Sequence, residues 1–180
     1  PQNGAAVELT EKASLGFGNT ASREFDGNND YLSMGTSSGL FPSSISVSFW
    51  VKTDGAASAN DGIICKTRSA WDKGWGFFFN SSSQIRFFVQ KYSKNYAYAS
   101  ISPTTWTHVV GTYNGSTLQI YINGAAGTSD SLSGSPSTTQ ELMIGACGDS
   151  AYNMKGWIDD VRIYDYILSS EEILELASGN

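Results

Sequence analysis

Short apolar runs alternate with turn-forming segments along most of the chain. About a dozen runs are candidate strands, among them ISVSFWVKT, QIRFFVQK, WTHVVGTYN and TLQIYING, and between them lie segments such as NGST, NGAAG and SLSGSPSTTQ. Asn-Gly between two alternating runs is typical of tight hairpins, and no helical pattern separates the strands. Successive strands of this kind pair in antiparallel fashion, so the pattern predicts an all-β antiparallel sandwich of jelly-roll type.

The C-terminal tail has a different pattern. In LSSEEILELASGN, Ser169 can cap a helix while Glu172 reaches back to it, and Gly179 stands where helices end. An apolar side that can pack on a sheet is then formed by Ile173, Leu174 and Leu176. The tail therefore predicts a short C-terminal helix.

Length and charge limit the domain count and the partners. A chain of 180 residues is long enough for one well-buried core, so we expect a single domain. The net charge of −6, with 11 Lys and Arg, argues against nucleic acid and against an anionic membrane surface. No apolar run reaches the roughly 20 residues of a membrane span. Because the chain starts at Pro-Gln-Asn, we expect a piece cut from a longer, processed protein.

The two cysteines, Cys65 and Cys147, lie in the apolar segments IICK and MIGAC. Without a CxxC motif or a Cys/His cluster, neither a zinc site nor a redox motif is indicated. Two buried thiols and one disulfide both fit this pattern. If the two residues face one another, the loops that follow them are neighbours, and Trp71 lies close to Asp149 and Tyr152.

Six segments carry a family resemblance when they are taken in order. They are FDGNNDYL (25–32), ISVSFWVKT (45–53), IICK (63–66), WTHVVGTYNGSTLQIYINGA (106–125), LMIGA (142–146) and GWIDDVRIYDYILSSEEI (156–173). Over about residues 24–176 the chain resembles laminin-G-like domains and, more closely, the bacterial branch of the concanavalin A-like lectin/glucanase superfamily. The resemblance implies a jelly roll of two antiparallel sheets. It also implies kinship with non-catalytic modules of secreted polysaccharide-degrading enzymes or adhesins, many of which hold a structural calcium ion.

The carboxylates do not form the pattern of a glycosidase. Hydrolases of this superfamily typically carry acids at alternate positions, as ExDxE or ExDxxE, and no such pattern occurs here. Asp159 and Asp160 are adjacent in a predicted strand, where successive side chains point to opposite faces, so they cannot act as a pair. His108 is the single histidine, at a position that recurs in the family, and we expect it to be structural. We therefore expect no enzymatic activity; a lyase or hydrolase of the same fold is the alternative.

The segment FDGNNDYL is chemically suited to calcium. Asp26, Asn28 and Asp30 present oxygen ligands in a short loop, and calcium takes six to eight oxygens. The loop alone offers too few carboxylates. If the first and last strands are neighbours, Asp159 or Asp160 can complete the site; a purely hydrogen-bonded turn is the alternative.

Strand alternation assigns faces to the segment GWIDDVRIYDY. We expect the core face to take Trp157, Asp159, Val161 and Ile163, and the other face to take Ile158, Asp160, Arg162 and Tyr164. A carboxylate on an apolar face is costly unless it is paired, so Asp159 needs a metal or a set of backbone N–H groups. Asp160 can instead form an ion pair with Arg162.

Sugar recognition combines an aromatic platform with a few oriented polar groups. Three segments supply such residues: Arg68, Trp71, Asp72 and Trp75; then Tyr92, Tyr96 and Tyr98; then Asp149, Tyr152 and Asn153. Trp71 lies in a polar loop and is expected to be exposed, whereas Trp75, which precedes GFFFN, also fits a core position. The bases Arg68, Lys73, Lys91 and Lys94 suit a uronic or sulfated sugar, or simply a solvated surface.

Taken together, these patterns and the resemblance predict a monomeric, calcium-stabilised module that is secreted or displayed at a cell surface. It would bind a polysaccharide or oligosaccharide and hold an attached catalytic domain against its substrate. An adhesion module for a protein or a cell-surface glycan is the alternative.

Overall fold

The structure is a computed structural model that describes residues 6–8, 13, 19, 21–36, 43–55, 57–67, 70–134, 136, 139–148 and 152–179. The strands in these ranges are β1 (Ala6–Glu8), β2 (Ser22–Asp26), β3 (Leu32–Ser33), β4 (Ile45–Thr53), β5 (Gly62–Lys66), β6 (Trp75–Ser81), β7 (Gln84–Val89), β8 (Tyr96–Ser100), β9 (Thr107–Tyr113), β10 (Thr117–Ile122), β11 (Ala125–Ser131), β12 (Met143–Ile144), β13 (Ala146–Cys147), β14 (Tyr152–Asn153) and β15 (Lys155–Tyr164). The helix is α1 (Ser170–Ala177).

The strands form two sheets that pack face to face. Sheet I has the order β1-β2-β15-β4-β9-β10-β11, and sheet II has the order β13-β14-β5-β6-β7-β8, with β12 joining β5 to β3. Among the described strands the pairing is antiparallel except for one parallel contact between β14 and β5. The predicted antiparallel sandwich of jelly-roll type is therefore confirmed.

The core between the sheets is built largely from aromatic rings. Phe49 of sheet I meets Phe77 of sheet II edge to face, with ring centroids 5.0 Å apart, and Phe77 stacks on Phe87 at 4.6 Å. Gly111 leaves room for these rings, since a Cβ atom there would lie 2.4 Å from Cζ of Phe77. Trp75 is fully buried in the same core. Its predicted contact with a sugar is therefore wrong, because its strand position turns the side chain inward.

The outer edge of sheet II is closed by side chains rather than by another strand. The backbone N–H of Tyr98 donates to Oγ1 of Thr128 (2.7 Å), and that hydroxyl donates to the Tyr98 carbonyl (3.1 Å). The N–H of Tyr96 donates to the Asp130 carboxylate at 3.3 Å. Strand β11 of sheet I thus satisfies the backbone of β8, which removes an edge that could pair with other chains.

The predicted C-terminal helix is confirmed together with its cap. The N–H of Glu172 donates to Oγ of Ser169, and the Ser169 N–H donates to the Glu172 carboxylate at 2.7 Å. Ile173 and Leu176 are buried against the outer face of sheet I, whereas Leu174 is 56% exposed. The apolar side of α1 is therefore narrower than predicted, because it does not include Leu174. The described residues contain no helix with the length and apolarity that a membrane span requires.

Strand β15 contains a β-bulge at the two adjacent aspartates. Asp159 lies opposite Trp50 of β4 and Arg162 lies opposite Ser48, so β15 advances by three residues while β4 advances by two. Asp160 has a φ of +45°, which is in the left-handed region. One extra residue is thus accommodated between two regular stretches of the ladder.

The bulge overturns part of the predicted alternation. Before it, Ile158 enters the core, and its neighbours Trp157 and Asp159 point to the outer face. After it, Val161 packs against the core as predicted. Both Asp159 and Asp160 therefore lie on the outer side of sheet I, because alternation holds only where each residue opposes a partner.

Candidate ligand-binding site

A disulfide bond joins Cys65 on β5 to Cys147 on β13, with Cα atoms 5.2 Å apart. Two glycines leave space for the bridge. A Cβ atom at Gly76 would lie 2.6 Å from Sγ of Cys65, and one at Gly62 would lie 2.6 Å from Sγ of Cys147. The bridge holds β5 and β13 together, on the outer face of sheet II.

An aromatic cluster packs on the disulfide. Phe78 and Phe88 point out of sheet II, and Trp71 stacks on Phe88 with ring centroids 5.7 Å apart and planes 10° apart. Tyr92 and Tyr152 meet the Trp71 ring edge-on, at 5.3 and 5.2 Å. The predicted proximity of Trp71 and Tyr152 is confirmed. We refer to these five residues as the aromatic cluster.

The prediction that Trp71 is exposed is wrong. The residue is only 3% exposed, because the loop that carries it folds back over Phe78 and Phe88 and shields their rings from water. A backbone bond from the N–H of Tyr92 to the carbonyl of Trp71 (3.1 Å) fastens the loop in this position. The exposed part of the cluster is Tyr152, which is 41% accessible, together with the half-buried Tyr92.

A cavity of about 90 Å³ opens beside the cluster. Its walls are Asn60, Ala70, Trp71, Tyr92 and Tyr152. The indole N–H of Trp71 is buried next to Gly148 and has no hydrogen-bond partner among the residues that the structure describes. The site therefore combines ring edges with one side-chain amide.

The tyrosines of β8 share the same face of the protein. Phe88 lies opposite Tyr96, and Arg86 lies opposite Tyr98 across the β7–β8 pair. The Cζ atom of Arg86 stands 4.2 Å from the centre of the Tyr96 ring, and Tyr98 is 42% exposed. The second predicted segment is thus continuous with the aromatic cluster on the outer face of sheet II.

The other residues that were predicted to contact a ligand lie in separate places. Asp72 is half-buried in the Trp71 loop. The side-chain amide of Asn153 donates to the backbone carbonyl of Asn28 at 2.8 Å, toward the FDGNNDYL loop. Arg68 and Asp149 lie outside the described residues.

The FDGNNDYL loop closes on itself through its own carboxylates. Asp26 accepts hydrogen bonds from the backbone N–H (2.8 Å) and the side-chain amide (3.1 Å) of Asn28. These bonds hold the pKa of the Asp26 carboxyl below its usual value. Asp30, which is buried, accepts from the Asp26 N–H at 3.1 Å. The turn is therefore hydrogen-bonded as it stands.

The structure does not bring Asp159 to that loop. Lys155 lies opposite Asp26, so Asp159 is four residues further along β15, at about 13 Å for an extended strand. Its carboxylate accepts from the N–H of Ala13 (3.1 Å) and from the amide of Asn19 (2.7 Å). A backbone N–H and a side-chain amide are thus among the partners of this buried acid.

Asp160 forms the predicted ion pair, at 2.9 Å from Nε of Arg162. Within the described part of the chain, no three His, Cys, Asp or Glu residues are grouped so as to hold a metal ion. At the loop itself, Asp26 and Asp30 contribute carboxylates and Asn28 contributes an amide. This partial set falls short of the six to eight oxygens that calcium takes.

His108 is buried on the outer side of sheet I. Its Nε2 atom lies 2.8 Å from Oγ of Ser48, and burial lowers its pKa to about 4. Its Nδ1 atom has no partner among the described residues, so no described carboxylate completes a Ser-His-Asp arrangement.

Comparison with known proteins agrees with this architecture. A family model described as the concanavalin A-like lectin/glucanases superfamily matches residues 26–174. The chain belongs to this superfamily. No curated protein sequence matches this lectin-like chain.

Solved structures with the same fold include toxin domains and a pentraxin. The receptor-binding domain of botulinum neurotoxin C/D mosaic serotype is 20% identical, with a TM-score of 0.69 over 97% of this chain and 46% of that one. The receptor-binding domain of botulinum neurotoxin type G gives 16% identity, a TM-score of 0.65, and coverage of 97% and 46%. A native heptameric SAP-like pentraxin from Limulus polyphemus is 18% identical, with a TM-score of 0.64 over 86% of this chain and 80% of that one. This lectin-like chain therefore spans about half the length of the toxin domains, and the likeness shows the fold.

Sequence reasoning missed several residues of the site. Phe78, Phe88 and Arg86 were not predicted, although strict alternation in WGFFFN and QIRFFVQK places all three on one face. No sequence pattern marks Asn60 as part of the site, because a residue in a polar loop joins the site only through tertiary contact.

Proposed function

We propose that this domain binds carbohydrate without cleaving it, at the cavity beside the aromatic cluster. In a larger protein it would hold an attached polysaccharide-degrading enzyme against its substrate. The observation that carries the proposal is the pair Tyr92 and Tyr152 at a cavity that Asn60 also lines. The disulfide supports an extracellular location, since such bonds persist in oxidising compartments.

The chemistry of the cavity suits part of a sugar. A sugar ring has an apolar face and a polar rim, and tyrosine offers both an apolar ring and a hydroxyl group. At about 90 Å³ the cavity is far smaller than a pocket for a whole drug-sized ligand, so it fits one edge of a sugar whose remainder lies on the surface. The disulfide ties β5 to β13 beside the cavity, and such a preformed arrangement lowers the entropic cost of binding.

Two further observations support binding over catalysis. The superfamily is named for lectins as well as for glucanases, and the toxin domains of the same fold are named as receptor-binding domains. Among the described groups that could transfer a proton, His108 is buried against Ser48, Asp159 is engaged by the N-terminal segment, and Asp160 is paired with Arg162.

The test is affinity electrophoresis against a panel of polysaccharides. We expect the wild-type domain to be retarded by at least one polymer. Tyr152→Ala should lose the retardation, whereas Tyr166→Ala, which removes an equally exposed tyrosine near the helix, should keep it. Failure of every polymer to retard the wild type would overturn the proposal. New reducing ends or unsaturated products would instead establish a hydrolase or lyase.

An adhesion module is the second candidate, because the toxin domains with this fold are named for receptor binding. A glycan array separates the two functions. Hits on cell-surface glycans or measurable binding to a protein, without any polysaccharide hit, would favour adhesion.

Calcium at the FDGNNDYL loop remains part of the proposal, with Asp26 and Asp30 as its charged ligands. A weak extracellular site has a Kd of about 1 mM, so 10 mM calcium would stabilise the fold by about 1.4 kcal/mol. That corresponds to a rise of about 3–6 °C in Tm. The rise should vanish in EDTA and in Asp26→Asn. Equal melting temperatures in calcium and EDTA would remove the ion from the proposal.

A further inference from the structure

We propose that the carbohydrate bound by this face is anionic, a polysaccharide that carries carboxylate or sulfate groups, and that Arg86 contacts one of those groups. The inference rests on the proposed function and names the class of ligand. It is carried by the distribution of charge over the chain and by the surroundings of Arg86.

Basic residues are concentrated in one stretch of this acidic protein. Residues 61–130 contain six Lys or Arg residues and three acids, Asp61, Asp72 and Asp130, a balance of +3, although the whole chain carries −6. Lys66 is buried and donates to the carbonyl of Gln140, so it adds little at the surface. Lys73, Lys91 and Lys94 are exposed in the loops that carry Trp71 and Tyr92. A net excess of positive charge around a cavity attracts anionic ligands.

Arg86 is a cation without a counterion among the residues that the structure describes. It is half-buried on the outer face of sheet II and forms no hydrogen bond or ion pair with any described residue. Its Nε atom is buried without an acceptor, which is costly. The nearby acid Asp130 bonds instead to the N–H of Tyr96. By contrast, Arg162 on sheet I is paired with Asp160 at 2.9 Å.

The guanidinium is held ready for an anion. Its stacking over the Tyr96 ring, at 4.2 Å, fixes the plane of a group whose forked donors match carboxylate and sulfate oxygens. Arg86 is two residues from Phe88 on β7, a distance of about 7 Å along a strand. Trp71 stacks directly on Phe88. A polymer with one sugar at the cavity would therefore place a neighbouring acidic group near Arg86.

The experiment compares polymers that differ only in charge. Affinity electrophoresis would use polygalacturonate beside its methyl-esterified form, and a sulfated galactan beside its desulfated form. Duplex DNA serves as a polyanion of another class. We expect stronger retardation by the charged member of at least one pair, little by DNA, and a loss of retardation as salt is raised.

Substitutions then locate the contact. Arg86→Gln should weaken binding to the acidic polymer by about 10- to 100-fold, the range for a lost charge-assisted bond. The matched control Lys52→Gln removes one charge from the outer face of sheet I and should bind as the wild type does. If Arg86→Gln does not fold, Lys91→Gln combined with Lys94→Gln tests the same field through exposed side chains.

The outcomes distinguish this inference from the proposed function. Equal retardation by the charged and uncharged forms, with Tyr152→Ala still defective, would overturn the anionic ligand and leave the carbohydrate site standing. Retardation by no polysaccharide would overturn both. Equal retardation by DNA would show a non-selective polyanion surface and also overturn the inference.

Discussion

Replacement of Trp71 by alanine tests whether the aromatic cluster is a structural unit. Trp71 is 3% exposed and touches four rings of the cluster. Burial of an aromatic side chain removes about 150–250 Å² from water, worth about 4–6 kcal/mol at 25 cal/mol per Å². Partial collapse of the loop should reduce this, so we expect a loss of about 3–5 kcal/mol.

Urea unfolding followed by far-UV circular dichroism measures this loss directly. We expect a lower midpoint with an unchanged slope, and a fall of about 6–20 °C in Tm for a chain of this size. Tyr152→Ala is the matched control, because it removes a ring from the same cluster that is 41% exposed. It should cost much less than Trp71→Ala. A change below about 1 kcal/mol for Trp71→Ala would refute the reasoning, since no buried cluster would then depend on that ring.

This prediction also governs how binding data are interpreted. A weaker affinity of Trp71→Ala for a polysaccharide would not show a direct contact, because the cluster that shapes the cavity would be damaged. Tyr152→Ala is the informative substitution for contact.

Three further predictions concern stability. Reduction of the Cys65–Cys147 bridge, which closes a loop of 82 residues, should lower the free energy of unfolding by up to about 4.5 kcal/mol by the loop-entropy model. An unchanged urea midpoint would contradict this prediction. Burial lowers the pKa of His108 to about 4, so the unfolded chain, in which the imidazole has its ordinary pKa, binds a proton more tightly than the folded chain. The free energy of unfolding should therefore be highest above about pH 6.5 and should fall by about 3 kcal/mol as the pH drops to 4. His108→Gln should lack this part of the pH dependence of the unfolding free energy. Gly111→Ala should cost about 1–3 kcal/mol, because its Cβ would lie 2.4 Å from the Phe77 ring; a melting temperature equal to the wild type would contradict it.

Local patterns predicted the elements well. Apolar alternation and Asn-Gly turns indicated the strands, and Ser169 with Glu172 marked the helix start, because these signals depend on neighbours within a few residues. The segment GWIDDVRIYDY shows where such reasoning fails. Its alternation was interrupted at Asp160, whose φ of +45° belongs to a bulge that no residue type in the segment announces.

The candidate site was predicted only in part, and for the same reason. Composition marked Tyr92, Tyr96, Tyr98 and Tyr152 as candidates in separate segments, and the fold places them on or beside one face. The exposure of Trp71 could not be deduced, since it depends on two phenylalanines that reach the same surface from other strands.

The sequence by itself determined the sandwich, the capped helix and the superfamily, because periodicity and the order of motifs are properties of the linear chain and require no tertiary contacts. Only the tertiary structure decided which residues form the site. The disulfide joins β5 to β13 through Cys65 and Cys147, which are 82 residues apart, and the packing of Trp71 on Phe88 decides which ring is left for a ligand. That Arg86 Nε has no acceptor among the described residues is likewise a property of the folded surface. It depends on where every neighbouring carboxylate lies, which no single segment specifies.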